Sequence, residues 1–178
     1  MKVAIYSRGF DLDQRQSLNA LLLELHKHNV AICIFHDLLQ KFELCAPSGN
    51  EPYIPFTSAY DLPENIDCLI SLGGDGTVLD AVTLVGDSNI PILGINYGRL
   101  GFLASISKDE LSLMVDALMN RTYVIEKRAL IHLDANIPVF GTTPYGLNEF
   151  VLHKRDTSPM IKIHTYLNGE FLNSYWAD

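Results

Sequence analysis

The sequence predicts an α/β fold with a doubly wound, mostly parallel sheet, followed by the start of an antiparallel β-rich domain. In the first 120 or so residues, short apolar segments rich in β-branched residues alternate with segments whose apolar residues recur at helical spacing. This alternation is typical of parallel strands joined by crossover helices. After about residue 123, strand-like segments follow one another without a helix between them. We therefore expect an α/β domain over residues 1–122 and a β-rich domain beginning at residues 123–178.

The elements of the first region follow from their periodicity. The first helix places Leu18, Leu21, Leu22 and Leu25 on one face, and Asp11 or Asp13 can cap its start. The predicted strands are 3–7, 30–35, 66–72 and 90–96, and the predicted helices are 13–29, 77–85 and 108–120. Residues 37–45 are predicted to be a short helical or irregular segment. Together they predict a Rossmann-like arrangement, with helices on both faces of the sheet.

Residues 46–63 interrupt this pattern. The segment contains Pro47, Gly49, Pro52, Pro55 and Pro63, and this density of residues that break regular structure predicts an exposed loop or flap. Loops of this length often serve a function.

The second region is predicted to contain strands at 123–135, 145–153, 161–167 and 170–176. Asn168 and Gly169 stand between the last two strands, and this pair is a strong signal for a two-residue hairpin turn. Because the sequence stops just after an aromatic strand, we expect the sheet to be incomplete and the native polypeptide to continue.

Composition narrows the classes of protein. The chain has 178 residues, of which 48% are hydrophobic and 19% are charged, so it can bury a sizeable core and is unlike a disordered chain. Its 13 Lys and Arg against 21 Asp and Glu give a net charge of −8, which disfavours nucleic acid as a partner. No apolar run approaches a membrane span and no signal peptide precedes the first strand, so we expect a cytoplasmic protein without a membrane partner.

The sequence gives little evidence for a metal site or for disulfide bonds. The three cysteines are widely spaced and form no CxxC pair, which favours reduced thiols. The six histidines do not combine with Asp or Cys at the spacing of metal ligands. We therefore expect no metal site built from protein side chains alone.

The most informative segment is Gly73-Gly74-Asp75-Gly76-Thr77, which lies between a predicted buried strand and a predicted helix. Glycines let an anionic ligand approach the backbone, and the first turn of a helix offers N–H donors to it. Thr77 could cap the helix or contact a phosphate or a metal-bound water. A plain tight turn with an exposed Asp75 is the structural alternative. Neither GxxxxGK[ST] nor GxGxxG occurs, so the standard nucleotide motifs do not explain the segment.

Asp75 does not suit an anion site on electrostatic grounds alone. A carboxylate repels phosphates unless a cation or a hydroxyl donor lies between them. A hydroxyl that attacks a phosphoryl group needs a positioning group and a proton acceptor, and an aspartate supplies both. Asp75 is therefore a candidate for a catalytic or a metal-organising role.

Three motifs in this order resemble those of the NAD kinases. They are Gly73–Thr77 (GGDGT), residues 94–103 (GINYGRLGFL) and Leu147-Asn148-Glu149 (LNE). The first motif is shared with diacylglycerol and sphingosine kinases and, in related form, with phosphofructokinases. The three motifs together are much more specific, and the resemblance covers most of the chain.

The resemblance implies an ATP-dependent kinase that phosphorylates NAD at the 2'-hydroxyl of the adenosine ribose and forms NADP. Asp75 would accept the hydroxyl proton, and Mg²⁺ or another divalent cation would accompany ATP. The residues that would bind NAD are Asp75, Gly76, Phe102, Asn148, Glu149 and Asp178, and those near the ATP phosphates are Gly73, Gly74, Gly76 and Thr77. The family also implies a homo-oligomer for the full-length protein, while the present chain alone would be inactive.

Other interpretations remain open from the sequence. The chain could be a related lipid or sugar kinase, or a non-catalytic nucleotide-binding fragment. Without the resemblance, Asn148 and Glu149 would be a solvated turn and Phe102 a core residue. Asp80 stands where many relatives have a basic residue, and Trp176 where some have Arg. Ser7-Arg8-Gly9 follows the first strand, where open α/β sheets bind ligands, and could contact nucleotide.

Overall fold

The structure is a computed structural model that describes residues 1–9, 11–98, 101–137, 139–141, 144–154 and 160–177. Within the described residues, no helix is long and apolar enough to cross a membrane.

A six-stranded parallel sheet forms the first region and confirms the predicted α/β fold. Its strands are β1 (Lys2–Tyr6), β2 (Ala31–Phe35), β3 (Ile54–Phe56), β4 (Cys68–Gly73), β5 (Ile92–Asn96) and β6 (Ile106–Ser107). They lie in the order β3-β2-β1-β4-β5-β6, and every pairing is parallel. This is the doubly wound order, in which the direction of winding reverses between β1 and β4. Ligands of such sheets bind at the carboxyl ends of the strands beside this reversal.

Helices cover both faces of the sheet. They are α1 (Arg15–Lys27), α2 (His36–Lys41), α3 (Asp75–Val85) and α4 (Leu111–Asn120). Short 3₁₀ turns at Leu12–Gln14 and Lys108–Glu110 precede α1 and α4, so both helices start later than the periodicity predicts. Asp11 is the N-cap of the first of these turns and forms a capping box with Gln14, whose Oε1 accepts the Asp11 N–H at 2.9 Å.

Two hydrophobic clusters hold the layers together. The larger one packs α1 and α4 against one face of the sheet, and the smaller one packs α3 against the other. Strand β4 contributes to both, because successive side chains such as Leu69 and Ile70 point to opposite faces and both are fully buried. A central parallel strand buried on both faces explains why the apolar residues Cys68, Leu69 and Ile70 follow one another without alternation.

The flap predicted at residues 46–63 is partly wrong, because it contains β3. This strand pairs with β2 in the register Cys33↔Ile54 to Phe35↔Phe56. Pro55 is tolerated because β3 is the edge strand, where an N–H on the outer side needs no partner. The fully buried Phe56 anchors the strand. The many prolines in the segment prevented the prediction of β3. Strand β6 was not predicted because it is too short to give a periodic pattern.

The second region contains two small antiparallel pairs. Strand β7 (Ile131–His132) pairs with β8 (Tyr145–Gly146), and β9 (Ile161–Leu167) pairs with β10 (Glu170–Ala177). The β9–β10 hairpin confirms the turn signal: Asn168 and Gly169 have φ values of 52° and 88°. The long strands predicted at 123–135 and 145–153 are wrong, since only two residues of each are paired. The division into two domains at residue 122 stays a prediction.

Candidate functional site

The candidate site lies where the winding of the sheet reverses, at the carboxyl end of β4. The strand ends at Gly73, Gly74 is the N-cap, and α3 begins at Asp75. Thr77 is therefore the third residue of the helix, and the prediction that it caps the helix is wrong. Its N–H donates to the Gly74 carbonyl oxygen at 3.0 Å. The first turn of α3 thus directs the positive end of its dipole towards the edge where ligands bind.

Gly73 is required by the shape of this turn. Its φ is +154°, and a Cβ there would overlap the Thr77 side chain. Any other residue would push Thr77 away and displace the start of α3. The glycine turn therefore sets the position of the amides that we expect to face an anion.

Asp75 is fixed by the loop that follows β5. Its carboxylate accepts three backbone N–H groups, which are Phe102 N to Oδ2 at 2.8 Å, Leu103 N to Oδ1 at 2.9 Å and Ala104 N to Oδ1 at 3.0 Å. These amides, Ala104 foremost, lower the pKa of Asp75 because they stabilise the carboxylate. The alternative of a plain turn with an idle, exposed Asp75 is wrong, since this side chain joins two parts of the fold.

The same loop packs tightly against its surroundings. A Cβ on Gly101 would overlap the Asp75 carboxylate, and a Cβ on Gly94 would lie 2.8 Å from the Ala104 Cα. Asn96 is buried, accepts the Gly98 N–H at 2.7 Å through Oδ1, and donates from Nδ2 to the Ala104 oxygen at 3.4 Å. We call residues 101–104 the Asp75 loop. Gly94, Asn96 and Gly101 received no individual role from the sequence, although all three lie in the 94–103 motif.

Phe102 projects from the Asp75 loop into solvent. Its side chain is 95% exposed, so the alternative that it is a core residue is wrong. The backbone N–H of Phe102 itself donates to Asp75 Oδ2, and this bond fixes the backbone that carries the ring. An exposed aromatic ring beside a carboxylate can stack against a flat ligand such as a nucleobase.

The remaining predicted binding residues lie in the second region. Asn148 and Glu149 are exposed and follow β8, and among the described residues no hydrogen bond joins them to Asp75 or its loop. Asp178 lies outside the described residues. Trp176 is exposed on β10, with Lys162 Nζ 5.5 Å from its ring centroid.

A second charged group lies between the end of β1 and the second turn of α3, and its contacts were not predicted. Arg8 Nε lies 3.4 Å from Asp80 Oδ2, and Tyr6 Oη donates to the same oxygen at 3.4 Å. Burial and the nearby Asp80 raise the pKa of Tyr6 to about 12, so its hydroxyl stays protonated at neutral pH. The position of Arg8 after a strand was the only signal for this group in the sequence.

A metal ion would have few protein ligands here. Among the described residues, no three His, Cys, Asp or Glu side chains come together as a metal cluster. A carboxylate has about four acceptor positions, of which three on Asp75 are taken by amides. This fits Mg²⁺ that arrives on a phosphate ligand, because magnesium commonly binds one carboxylate, substrate phosphates and water.

The order of the strands and the glycine turn between β4 and α3 define a doubly wound α/β protein. Within that class, residues 56–123 match the family described as ATP-NAD kinase N-terminal domain. The chain is 43% identical over 181 residues to an NAD kinase of Cytophaga hutchinsonii, covering 100% of this chain and 61% of the relative. It is 36% identical over 181 residues to an NAD kinase of Bacteroides fragilis, covering 100% and 60%. These matches confirm the predicted resemblance to the NAD kinases, and within the chain residues 56–123 match the model of their N-terminal domain.

A solved structure supports the fold independently. The crystal structure of yeast NADH kinase complexed with NADH matches with a TM-score of 0.79 at 24% identity, covering 99% of this chain and 55% of that chain. The chain thus spans about three fifths of the length of the curated relatives it matches.

Proposed function

We propose that the protein, in its complete form, is an NAD kinase that transfers the γ-phosphoryl group of ATP to the adenosine 2'-hydroxyl of NAD. The observation that carries the proposal is the Asp75 carboxylate, held by three amides at the first turn of α3 in a chain similar to NAD kinases throughout. Among the alternatives from the sequence, the lipid or sugar kinase and the non-catalytic fragment are not favoured by the relatives it matches.

Asp75 Oδ2 is the atom that we assign to the attacking hydroxyl. Oδ1 accepts two amides and Oδ2 accepts one, so the acceptor position left open is on Oδ2. The 2'-oxygen forms a bond to the γ-phosphorus while the bond from that phosphorus to the bridging oxygen breaks. The hydroxyl proton goes to Asp75, and ADP leaves.

The lowered pKa of Asp75 suits this role. It keeps the carboxylate ionised at neutral pH, ready to accept a hydrogen bond from the hydroxyl. It also makes the carboxylate a weak base. In phosphoryl transfer through a loose transition state, catalysis depends mainly on positioning and on charge stabilisation, so a weak base that orients the nucleophile is sufficient.

The glycine turn would hold the phosphates of ATP. Backbone amides at Gly73, Gly74 and Gly76, together with the Thr77 side chain, lie around the positive end of the α3 dipole. Mg²⁺, or another divalent cation, enters with ATP as part of the substrate and offsets the charge of Asp75.

Both regions would contribute to the NAD site. Asp75 and Gly76 border the ribose, and the exposed Phe102 ring packs against the adenine. Asn148 and Glu149 offer both donors and acceptors to the adenosine, and Asp178 contacts the nicotinamide end. For both regions to reach NAD, the rest of a β-rich domain must hold residues 123–178 against the α/β region. We propose in addition that the full-length protein is a homo-oligomer. We further propose that the protein works in the cytoplasm without nucleic acid or membrane partners.

The test is formation of NADP by the complete product of the reading frame that encodes this chain. The protein is incubated with NAD, ATP and Mg²⁺, and NADP is measured with an NADP-specific dehydrogenase. The 178-residue chain runs in parallel, and we expect NADP from the complete protein alone. Phosphorylation of diacylglycerol vesicles or a sugar without NADP would overturn the proposal in favour of a related kinase. Nucleotide binding without any transfer would favour a non-catalytic module.

A further inference from the structure

We propose that Arg8 binds the phosphates of the phosphoryl donor, and that Asp80 and Tyr6 hold its guanidinium in place for that purpose. The inference rests on the proposed function and adds a positioning group to the same site. It also explains how this chain accommodates an acidic residue at position 80.

The backbone places Arg8 next to the glycine turn. Arg8 comes two residues after the end of β1, and β1 pairs with β4 in the register Tyr6↔Ser71. The buried Ser7 hydroxyl donates to the Leu72 carbonyl oxygen at 2.7 Å, directly before Gly73. This bond joins the end of β1 to the end of β4. Arg8 therefore emerges at the reversal of the sheet, beside the turn that we expect to hold phosphates.

The side chain of Arg8 is anchored at one point and open elsewhere. Its Nε approaches Asp80 Oδ2, yet the side chain is 71% exposed. A guanidinium has five N–H donors in a rigid planar fork, so the anchor at Nε leaves the two terminal amino groups available. Such a fork matches two oxygens of a phosphate. Tyr6 adds a donor to Asp80 and helps to fix the carboxylate that anchors Arg8.

The carboxylates near the start of α3 require a positively charged side chain nearby if phosphates are to bind there. The chain carries a net charge of −8, and α3 places two carboxylates, Asp75 and Asp80, in its first two turns. An uncompensated Asp80 would repel phosphates at the start of the helix. The ion pair with Arg8 neutralises Asp80 and presents a positive group on the solvent side.

The test compares substitutions of two positively charged residues, Arg8 and Lys27, in the complete protein. Arg8→Gln is expected to raise the KM for ATP about tenfold or more, as for a lost hydrogen bond to a charged group, with the KM for NAD within about twofold. Arg8→Lys keeps the positive charge but loses the planar pair of terminal amino groups. Its KM for ATP is therefore expected to lie between those of the unsubstituted protein and Arg8→Gln. The control is Lys27→Gln, which removes one cation from an exposed pair with Glu24 at the end of α1 and is expected to leave both values unchanged.

Direct binding of Mg–ATP, measured by calorimetry on the same variants, separates this inference from the proposed function. Weaker Mg–ATP binding in Arg8→Gln than in Lys27→Gln supports the inference even if no NADP is formed. Equal binding in the two variants would overturn it. A rise in the KM for NAD alone would also overturn it, because Arg8 would then serve the acceptor.

Discussion

The two regions of the molecule differ in how much of their own sequence they can bury. The α/β region has two hydrophobic clusters, with residues such as Ile5, Leu69 and Ile95 fully buried. From residue 123 onward, no described residue is buried, and Val124 is 96% exposed. The β9–β10 hairpin likewise exposes Phe171 and Trp176.

This difference explains why only one region builds its part of the site. Asp75 and its loop are fixed by contacts within the α/β region, so their geometry is complete. Asn148 and Glu149 stand on a segment without a core of its own, and no hydrogen bond among the described residues brings them to Asp75. A short two-stranded sheet is marginal in water unless something packs on its apolar face.

The largest expected effect compares one functional residue from each region in the complete protein. Asp75→Asn is expected to lower kcat by about 10²–10⁴, the range for loss of a positioned proton acceptor. Glu149→Gln is expected mainly to raise the KM for NAD, because it would remove a binding contact and leave the reacting groups. Steady-state NADP formation measures both. Asp87→Asn, at the other end of α3, is the control, and comparable losses in Asp75→Asn and Asp87→Asn would contradict the role of Asp75.

The next effect tests packing. Leu69→Ala is expected to lower the free energy of unfolding by about 2–5 kcal/mol, because a fully buried leucine leaves a cavity in a packed core. Leu172→Ala, at a side chain that is 61% exposed on the hairpin, is expected to change it by less than about 0.5 kcal/mol. Urea denaturation of the 178-residue chain measures both values. Similar costs at the two positions would mean that the hairpin is packed as well as the sheet.

A smaller effect tests the contact between Gly101 and Asp75. Gly101→Ala is expected to cost about 1–3 kcal/mol of unfolding free energy, because the new Cβ overlaps the carboxylate and forces it from its amides. In an Asp75→Ala background the same change is expected to cost much less, since the carboxylate is gone. A double-mutant cycle by urea denaturation measures the difference. If Gly101→Ala lowers the unfolding free energy equally in both backgrounds, the strain does not come from the contact between Gly101 and the Asp75 carboxylate.

The smallest effect is a pH dependence. Because the Asp75 pKa is lower in the folded protein, its ionisation stabilises the fold above the unfolded pKa of about 3.9, and this contribution is lost as the pH falls below that value. The stability difference between the chain and its Asp75→Asn variant is therefore expected to be constant near neutral pH and to shrink in acid. Denaturation series at several pH values test this, and a difference that grows below pH 3.9 would have the wrong sign.

The sequence predicts the α/β region well because local periodicity and packing agree there. The strand before Gly73, the helix after it and the importance of Asp75 all follow from one segment. Strand β3 is not predicted from the sequence because a proline is tolerated in a strand only at the edge of a sheet. Which strand lies at the edge depends on the order of the strands. The strands predicted at 123–135 and 145–153 shorten because β propensity alone does not pair strands.

The partners of Asp75 could not be predicted in the same way. Its three amide donors lie 27–29 residues away in sequence, and a backbone N–H carries no signature in the amino-acid sequence. The pair of Arg8 and Asp80 is likewise set by the neighbouring positions of β1 and β4 in the sheet. Sequence patterns predict the residues of the candidate site, while the topology of the fold determines the contacts of Asp75 and Arg8.

Amide hydrogen exchange of the 178-residue chain tests the contrast between the two regions most directly. We predict slow exchange in β1, β4 and β5, measurable protection of the Phe102, Leu103 and Ala104 amides, and rapid exchange over residues 123–130. Amides of the Asp75 loop that exchange as fast as those of residues 123–130 would contradict the claim that the α/β region fixes its own part of the site.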